Sequence, residues 1–411
     1  MHVGIVGAGA VGLSTAWYLR ERGADVTVFE KEDVGAGASW GNAGHIVPAM
    51  SVPLAEPANL RYALTSFWKR NAPVTAPRTV DRDLLRFLLE FGRNSTRRRY
   101  LDSVRQMMVL SRSAIAEFEH LERTGVRTTR KPAPFTSALT GAGAARYLLD
   151  EYATVTEAGY PAEISLLSGA ELRKREPLVG SRFHFGVELG RQSLLEPPRF
   201  LSNLVESLQS AVQIERGCEI TGVERSHGRL RVTKRGSTPE TFDAVVVATG
   251  AWLTRLAADH GVAAPIVAGR GYSMSVAIPH ATRGMLYFPE SRIATTAYGD
   301  RLRVSSLMQI GKVEDPGREA GRQRLLRTAK AVLPQLDWNT ADEFWSGGRP
   351  LSVDGRPLVG RTTTDGVYIN GGHGMWGVTL GPVSGKHLAN EITGSAGSGT
   401  LDDFDPLRFQ K

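Results

Sequence analysis

The first thirty residues, MHVGIVGAGAVGLSTAWYLRERGADVTVFE, set two apolar runs on either side of one helical stripe. Residues 3–6 are short and apolar enough for a buried strand, and residues 13–22 have helical periodicity. Residues 25–29 make a second apolar strand that ends on Glu30. Strand, glycine-rich turn, helix and strand in that order predict a βαβ unit.

Downstream the period changes. Residues 34–50, VGAGASWGNAGHIVPAM, hold four glycines and suit no regular element; a loop this demanding more often touches a ligand than merely connects. Residues 53–130 repeat apolar positions three and four apart, first at Leu84, Leu85, Leu88 and Leu89, later at Met107, Met108, Leu110, Ile115, Phe118 and Leu121. That spacing predicts helices covering a second domain. Residues 133–190 mix strand candidates at 134–139 and 183–189 with a helical stretch at 169–175. A helix is predicted from 198 to about 210, then strands at 212–215, 219–224 and 230–234.

Residues 243–250 form a continuously apolar strand ending in Gly250 at a sheet edge, and a helix starts within 248–252. A long strand at 265–276 and shorter ones at 285–288, 293–296 and 302–305 have period-two patterning with turn residues between, as in an antiparallel sheet. A helix follows at 318–333. The last part holds a strand at 366–370, the glycine-rich GGHGMWG and a helix from 378, with a linker of flexible composition at 394–399. No internal repeat is present.

The order predicts an interleaved chain. Residues 1–52, 192–263 and 345–411 form a Rossmann-like α/β domain. Residues 53–191 and 264–344 form an α+β domain on an antiparallel or mixed sheet. A ligand is expected between them, at the carboxyl ends of the parallel strands.

Composition narrows the function classes. With 411 residues, 41% hydrophobic and 22% charged, the chain reads as a globular protein of two or three domains. No window approaches the ~18 apolar residues of a membrane helix. The first strand begins at the initiator methionine, so no signal peptide is expected. The single cysteine, Cys218, excludes an intramolecular disulfide and Cys-based zinc or iron–sulfur sites, and fits a reducing, cytoplasmic location. The net charge of +8 raises two other readings, contact with the anionic inner face of the cell membrane and nucleic-acid binding. The densest run, Arg93, Arg97, Arg98 and Arg99 beside Tyr100, reads as a solvated helix face, and no nucleic-acid module accompanies it.

The glycines carry the first chemistry. Gly7, Gly9 and Gly12, with Ala10 and Val11 between, form G-x-G-x-x-G after a strand and before a helix. In such a unit the first glycine makes the tight turn, the second admits a pyrophosphate, and the third lets helix and strand pack closely. Glu30, followed by Lys31, stands where an acid holds a ribose diol, and its charge disfavours a 2′-phosphate. A bound dinucleotide follows; the motif alone does not separate NAD from FAD.

Several segments together resemble the FAD-dependent D-amino-acid oxidase and dehydrogenase superfamily, which includes glycine oxidase and sarcosine oxidase. They are most similar to bacterial D-amino-acid dehydrogenases. The segments are the N-terminal motif, Gly41-Asn42-Ala43-Gly44, Ala248-Thr249-Gly250 and Arg270-Gly271-Tyr272-Ser273. The others are Gly348-Arg349-Pro350 with Asp354-Gly355, the loop from Asn370 to Thr379, and Pro406 to Phe409.

The resemblance implies FAD, with Gly7, Gly9, Ala10, Val11, Gly12, Glu30 and Lys31 around its ADP half. Ser39, Asn42, Ala43, Gly44, His45, Thr249, Gly250 and Gly348 would line the pyrophosphate and flavin. Gly374, Met375, Gly377, Val378 and Thr379 would place helix N–H groups beside the ring. Arg349 would grip a substrate carboxylate, with Tyr272, Tyr287 and Met375 shaping the pocket. Gly41, not histidine, follows Trp40, and Cys218 lies far upstream of the C-terminal cofactor segment, so non-covalent FAD is expected.

The implied reaction removes hydride from Cα to flavin N5, giving an imino acid that hydrolyses to keto acid and ammonia. If the amine enters neutral, no acid–base side chain is required; His45 and His373 are the candidates for one. His45 replaces a glutamine of the D-amino-acid dehydrogenase pattern, and Met375 and Trp376 are bulkier than in many relatives. Oxidation of a secondary amine such as proline, hydroxyproline or N-methylglycine is the alternative within the fold. A membrane- or RNA-docking protein with structural FAD is the alternative outside it. Oxygen, or a quinone or carrier, would accept the electrons.

Overall fold

The computed structural model describes residues 1–66, 74–75, 81–280, 282–315, 317, 319–395 and 398–410. Two large sheets organise it. The first has six strands, in the order Val212–Arg216, Asp25–Glu30, His2–Val6, Ala244–Val247, Val367–Gly371 and Leu358–Arg361. All neighbours run parallel except the last pair. The central strands His2–Val6, Ala244–Val247 and Val367–Gly371 are mostly apolar and buried because both faces are covered. On one face the helices Ala10–Glu21 and Gly377–Ile392 pack together, close enough that a Cβ on Gly385 would stand 2.9 Å from the Thr15 amide nitrogen. On the other lies the three-stranded meander Ile220–Ser226, Arg229–Lys234 and Glu240–Phe242, whose Phe242 ring meets Gly4. The strand expected at 243–250 is interior to the sheet, with Gly250 beyond its carboxyl end.

The second sheet is mixed. Its main path runs Asp342–Ser352, Ile266–Ala277, Arg301–Gly311, Ile293–Tyr298, Met285–Phe288, Phe135–Leu139, Phe185–Leu189 and Ile164–Ser168. The pairing of Met285–Phe288 with Phe135–Leu139 is parallel. Helix Glu319–Val332 covers one face, packing Leu325 and Ala329 against Tyr272, Met274 and Val304. The opposite face looks towards the first domain. A small third sheet ties His45–Ile46 to Ser193–Leu194 and Lys131–Pro132. This is an α/β nucleotide-binding domain interleaved with an α+β domain.

The helices expected within 53–130 are present at Pro57–Ser66, Arg82–Asn94, Arg97–Ser111 and Ala114–Arg123, with residues 67–73 and 76–80 outside the described ones. Helix Ala142–Glu157 was not expected, although Ala145, Leu148, Tyr152 and Val155 bury one stripe at helical spacing. The strand Asp342–Ser352 crosses the boundary placed at 344, so the chain enters the last piece of the nucleotide domain later than its composition suggests. Residues 396 and 397 of the expected linker lie outside the described residues, and 398 already begins a 3-10 helix. Arg97, Arg98 and Arg99 are exposed at the start of their helix. Among the described residues no helix is long and apolar enough to cross a membrane.

Candidate active site

At the carboxyl edge of the parallel sheet, Gly7 has φ +112°, and a Cβ there would stand 2.6 Å from the Ala248 carbonyl oxygen. Only glycine satisfies both demands. A Cβ on Gly12 would overlap the Gly7 carbonyl, so this glycine sets the strand–helix approach and does not line the crevice. The helix that follows has no cap from its own N-cap residue, Gly9; instead the Ala10 N–H donates to Ser39 Oγ at 3.1 Å. Glu30 accepts from the Ala8 N–H at 2.9 Å and the Glu32 N–H at 3.0 Å, which holds its carboxylate at the crevice wall.

The crevice runs from this turn in two directions. At one end Lys31 Nζ lies 3.7 Å from the centre of the Trp252 ring, beside Cys218, Glu219 and Arg255. Thr249 and Gly250 stand on the facing wall. At the other end are Gly348, Arg349, Asn370, His373, Gly374, Met375, Gly377 and Val378. A second helix, Gly377–Ile392, opens there without a side-chain cap. Two helix N-termini therefore face one crevice with first-turn N–H groups to spare.

Three buried polar atoms on its walls, Thr249 Oγ1, Asn370 Oδ1 and His373 Nδ1, find no hydrogen-bond partner among the described residues. Buried polar atoms are rarely left so. The glycine cradle, the spare N–H groups and these atoms together fit a dinucleotide.

Beyond Arg349 the crevice opens into a chamber between the two sheets. Asn42, Arg349 and Met375 line both spaces. Arg349 is half-buried, lining the cavity wall; its Nη1 donates to the Leu307 carbonyl at 2.9 Å, and among the described residues no carboxylate pairs with it. Desolvation pushes its pKa down to about 10, so it remains a cation at neutral pH. A largely desolvated cation with no carboxylate partner among the described residues, set where two cavities meet, calls for an anionic ligand.

Of the residues singled out in the sequence, Ala43, His45 and Tyr287 line the chamber. Tyr272 does not. Strand alternation turns it to the opposite face, where its hydroxyl donates to Gln309 Oε1 at 3.0 Å and its ring packs behind helix Glu319–Val332. Gly44 lines neither space. It has φ +74°, and its neighbour's carbonyl, Ala43 O, accepts from the Thr296 and Tyr298 hydroxyls, both at 2.7 Å. Thr379 is likewise behind the wall, donating to the His45 carbonyl at 3.0 Å.

Neither histidine is placed as a base. His45 Nε2 is 3.1 Å from the Thr295 carbonyl, so that nitrogen carries the proton, and burial lowers the ring to about 4. His373 Nε2 meets Ser384 Oγ at 3.0 Å, and burial lowers it to about 3.

Sequence reasoning missed the chamber's outer wall. Tyr62 from Pro57–Ser66, Phe87, Leu88 and Phe91 from Arg82–Asn94, and Arg292 all line it. The Leu stripe at 84–89 was legible as a helix face, but nothing local says that part of that face bounds a cavity. Arg292 carries no signal at all, being an ordinary surface-type residue two positions after Glu290. Trp252 and Arg255, at the far end of the crevice, were visible only as the start of a helix.

The chain as a whole matches the family described as FAD dependent oxidoreductase, over residues 2–391. It belongs to that family. Among solved structures it is similar to glycine oxidase from Geobacillus kaustophilus, at 20% identity and TM-score 0.77, covering 100% of this chain and 99% of the other. Iminodiacetate oxidase from Chelativorans sp. matches at 18% identity and TM-score 0.74, covering 98% of each. L-proline dehydrogenase from P. horikoshii matches at 17% and 0.72, covering 99% of this chain and 97% of that one. The chain is thus an FAD-dependent oxidoreductase with this family's fold, and the crevice has the glycine cradle and donor set that fit FAD.

Proposed function

We propose that this oxidoreductase oxidises the C–N bond of an α-amino carboxylate, preferentially of D configuration, whose carboxylate is held by Arg349. The observation that carries the proposal is the uncompensated Arg349 guanidinium at the junction of crevice and chamber. The names of the three structural neighbours support it, since glycine, iminodiacetate and proline all carry an amine next to a carboxylate. The D configuration is supported by the resemblance of the segments taken together to bacterial D-amino-acid dehydrogenases.

Non-covalently bound FAD supplies the hydride acceptor. The protein's own residues bind and orient. Gly7, Gly9, Ala10, Val11, Glu30 and Lys31 hold the ADP half, and the N-termini beginning at Ala10 and Gly377 receive negative charge. Arg349 anchors the carboxylate; Met375, Trp376 and Tyr287 wall the reacting carbon and exclude water. Burial leaves His45 and His373 too weakly basic to take the proton of an ammonium group, so the amine enters unprotonated. The breadth of the apolar chamber favours a second reading, a secondary amine of the proline or N-methylglycine type. Oxygen, a quinone or a carrier then takes the electrons.

The test is anaerobic mixing of the FAD-loaded protein with D-, L- and N-alkyl amino acids and with amines lacking a carboxylate, following loss of the yellow absorbance. Carboxylate-bearing substrates should bleach the flavin, and Arg349→Ala should slow that bleaching at least about a hundredfold at low substrate. Equal bleaching by plain amines, or an indifferent Arg349→Ala, overturns the proposal.

A further inference from the structure

Among the described residues, Arg349 is one of two guanidiniums on the chamber. The other, Arg292, lines the chamber but not the nucleotide crevice, so it stands further from the reacting junction than Arg349 does. Among the described residues no aspartate or glutamate lines the chamber, and His45 is neutral. The remaining wall is mostly apolar, contributed by residues such as Leu54, Leu60, Phe87 and Phe91. An otherwise apolar space thus presents two positive charges at different depths.

Arg292 is held in place from several sides. Its backbone adopts φ +52°, left-handed and costly for a residue with a side chain, and its carbonyl accepts from Ser306 Oγ at 2.7 Å. Its Nη2 donates to Asn59 Oδ1 at 3.1 Å, while Asn59 Nδ2 donates to Glu56 Oε2 at 3.0 Å. The guanidinium also lies 5.0 Å from the Tyr62 ring centre, within cation–π range. Glu56 reaches it only through the amide, and no carboxylate pairs with it directly among the described residues. A guanidinium has five N–H donors, and the hydrogen bond to Asn59 uses one. A positioned fork with donors to spare, beside an apolar space, is suited to a carboxylate.

We propose that Arg292 is a specificity-determining residue that binds a second anionic group, so that the substrate is an amino acid whose side chain ends in a carboxylate. The proposal rests on Arg349 holding the α-carboxylate. The substrate's aliphatic carbons lie along the apolar wall between the two guanidiniums, and a neutral side chain leaves Arg292 without its partner.

The experiment compares aspartate, glutamate and 2-aminoadipate, in both configurations, with asparagine, glutamine and 2-aminohexanoate, by flavin bleaching in wild type, Arg292→Gln and Arg292→Lys. In wild type the diacids should bind at least about tenfold more tightly than their neutral counterparts. Arg292→Gln should erase that preference while leaving the limiting bleaching rate of a neutral substrate within about twofold. Arg292→Lys, which keeps the charge without the fork, should restore part of it. Neutral amino acids preferred by wild type, or equal losses for diacid and neutral substrates in Arg292→Gln, overturn the subsite.

If no amino acid bleaches the flavin, the reading of the reaction fails, and binding decides the subsite separately. Glutarate should then perturb the flavin spectrum at lower concentration than butyrate in wild type but not in Arg292→Gln. Equal binding of the two acids by wild type would overturn the subsite even so.

Discussion

The guanidinium of Arg349 occupies the space a side chain would take on Gly271. A Cβ built there overlaps Cζ and both Nη atoms. The strands Ile266–Ala277 and Asp342–Ser352 pair Gly269 with Arg349, so Gly271 is the diagonal neighbour on the same face. The glycine of Arg270-Gly271-Tyr272 and the arginine of Gly348-Arg349-Pro350 are therefore one device.

Gly271 lines neither the crevice nor the chamber, and Gly271→Ala should push the Arg349 guanidinium from its seat. The expected outcome is FAD content unchanged and KM for a carboxylate substrate raised roughly tenfold or more. Steady-state kinetics beside flavin content of the purified protein checks this; an unchanged KM would detach Gly271 from substrate binding.

Arg349→Met should separate stability from activity. It removes a half-buried, desolvated charge that has no counter-ion among the described residues and keeps much of the volume. Substrate-free stability in urea should be equal or higher while bleaching by amino acids is lost. A loss of more than about 2 kcal/mol would mean that the hydrogen bond to Leu307 outweighs the charge's burial.

The two tyrosines should behave oppositely. Tyr272→Phe loses the hydrogen bond to Gln309 behind the sheet and should leave kcat/KM within about twofold. Tyr287→Phe, on the chamber wall, should lower it several-fold. The reverse order would place the wrong tyrosine at the substrate.

Ser39→Ala removes the acceptor that caps the first helix from the loop. A cap of this kind is worth about 1 kcal/mol, so FAD affinity should fall about fivefold. Titration of apoprotein with FAD measures it.

His373 gives a pH signature. Its ring is held at about 3 in the fold against about 6.5 when unfolded. Between these values the unfolded chain binds the extra proton, so this group makes stability rise with pH, and its contribution is lost as pH falls below about 6.5. Glu151 and Glu176, both raised to about 7 chiefly by burial, act in the opposite sense between roughly pH 4.5 and 7. The wild-type slope alone is thus not diagnostic. His373→Gln should reduce the slope of unfolding free energy against pH by up to about 1.4 kcal/mol per pH unit around pH 5. Urea melts of both proteins across that range decide it, and parallel slopes would mean the ring is protonated in the fold.

Much of the nucleotide half was legible because its demands are local. Gly7 and Gly12 are required by a turn and a close approach within one βαβ unit, and Glu30 by the strand that ends beside it. The helix Ala142–Glu157 was as legible, through its buried stripe, yet lay between glycines that read as loop. The chamber was not legible. Tyr272 and Gly271 are adjacent in sequence and face opposite sides of a sheet, and a bulge between Arg270 and Tyr272 interrupts the pairing that would tell which is which. Arg292 meets Asn59 and Tyr62 across more than two hundred residues of chain.

By itself the sequence determined the glycine-rich βαβ crevice and the interleaving of the two domains, while the carboxylate role of Arg349 came only from the family resemblance. Glycine conformation, apolar periodicity and charge are properties of short stretches, so short stretches reveal them. Only the tertiary structure decided that Arg349 has no carboxylate partner among the described residues, that burial lowers both loop histidines, and that a second guanidinium shares the chamber. Each of those depends on which distant atoms fill the surrounding space, and burial and pairing exist only once the sheets have closed on one another.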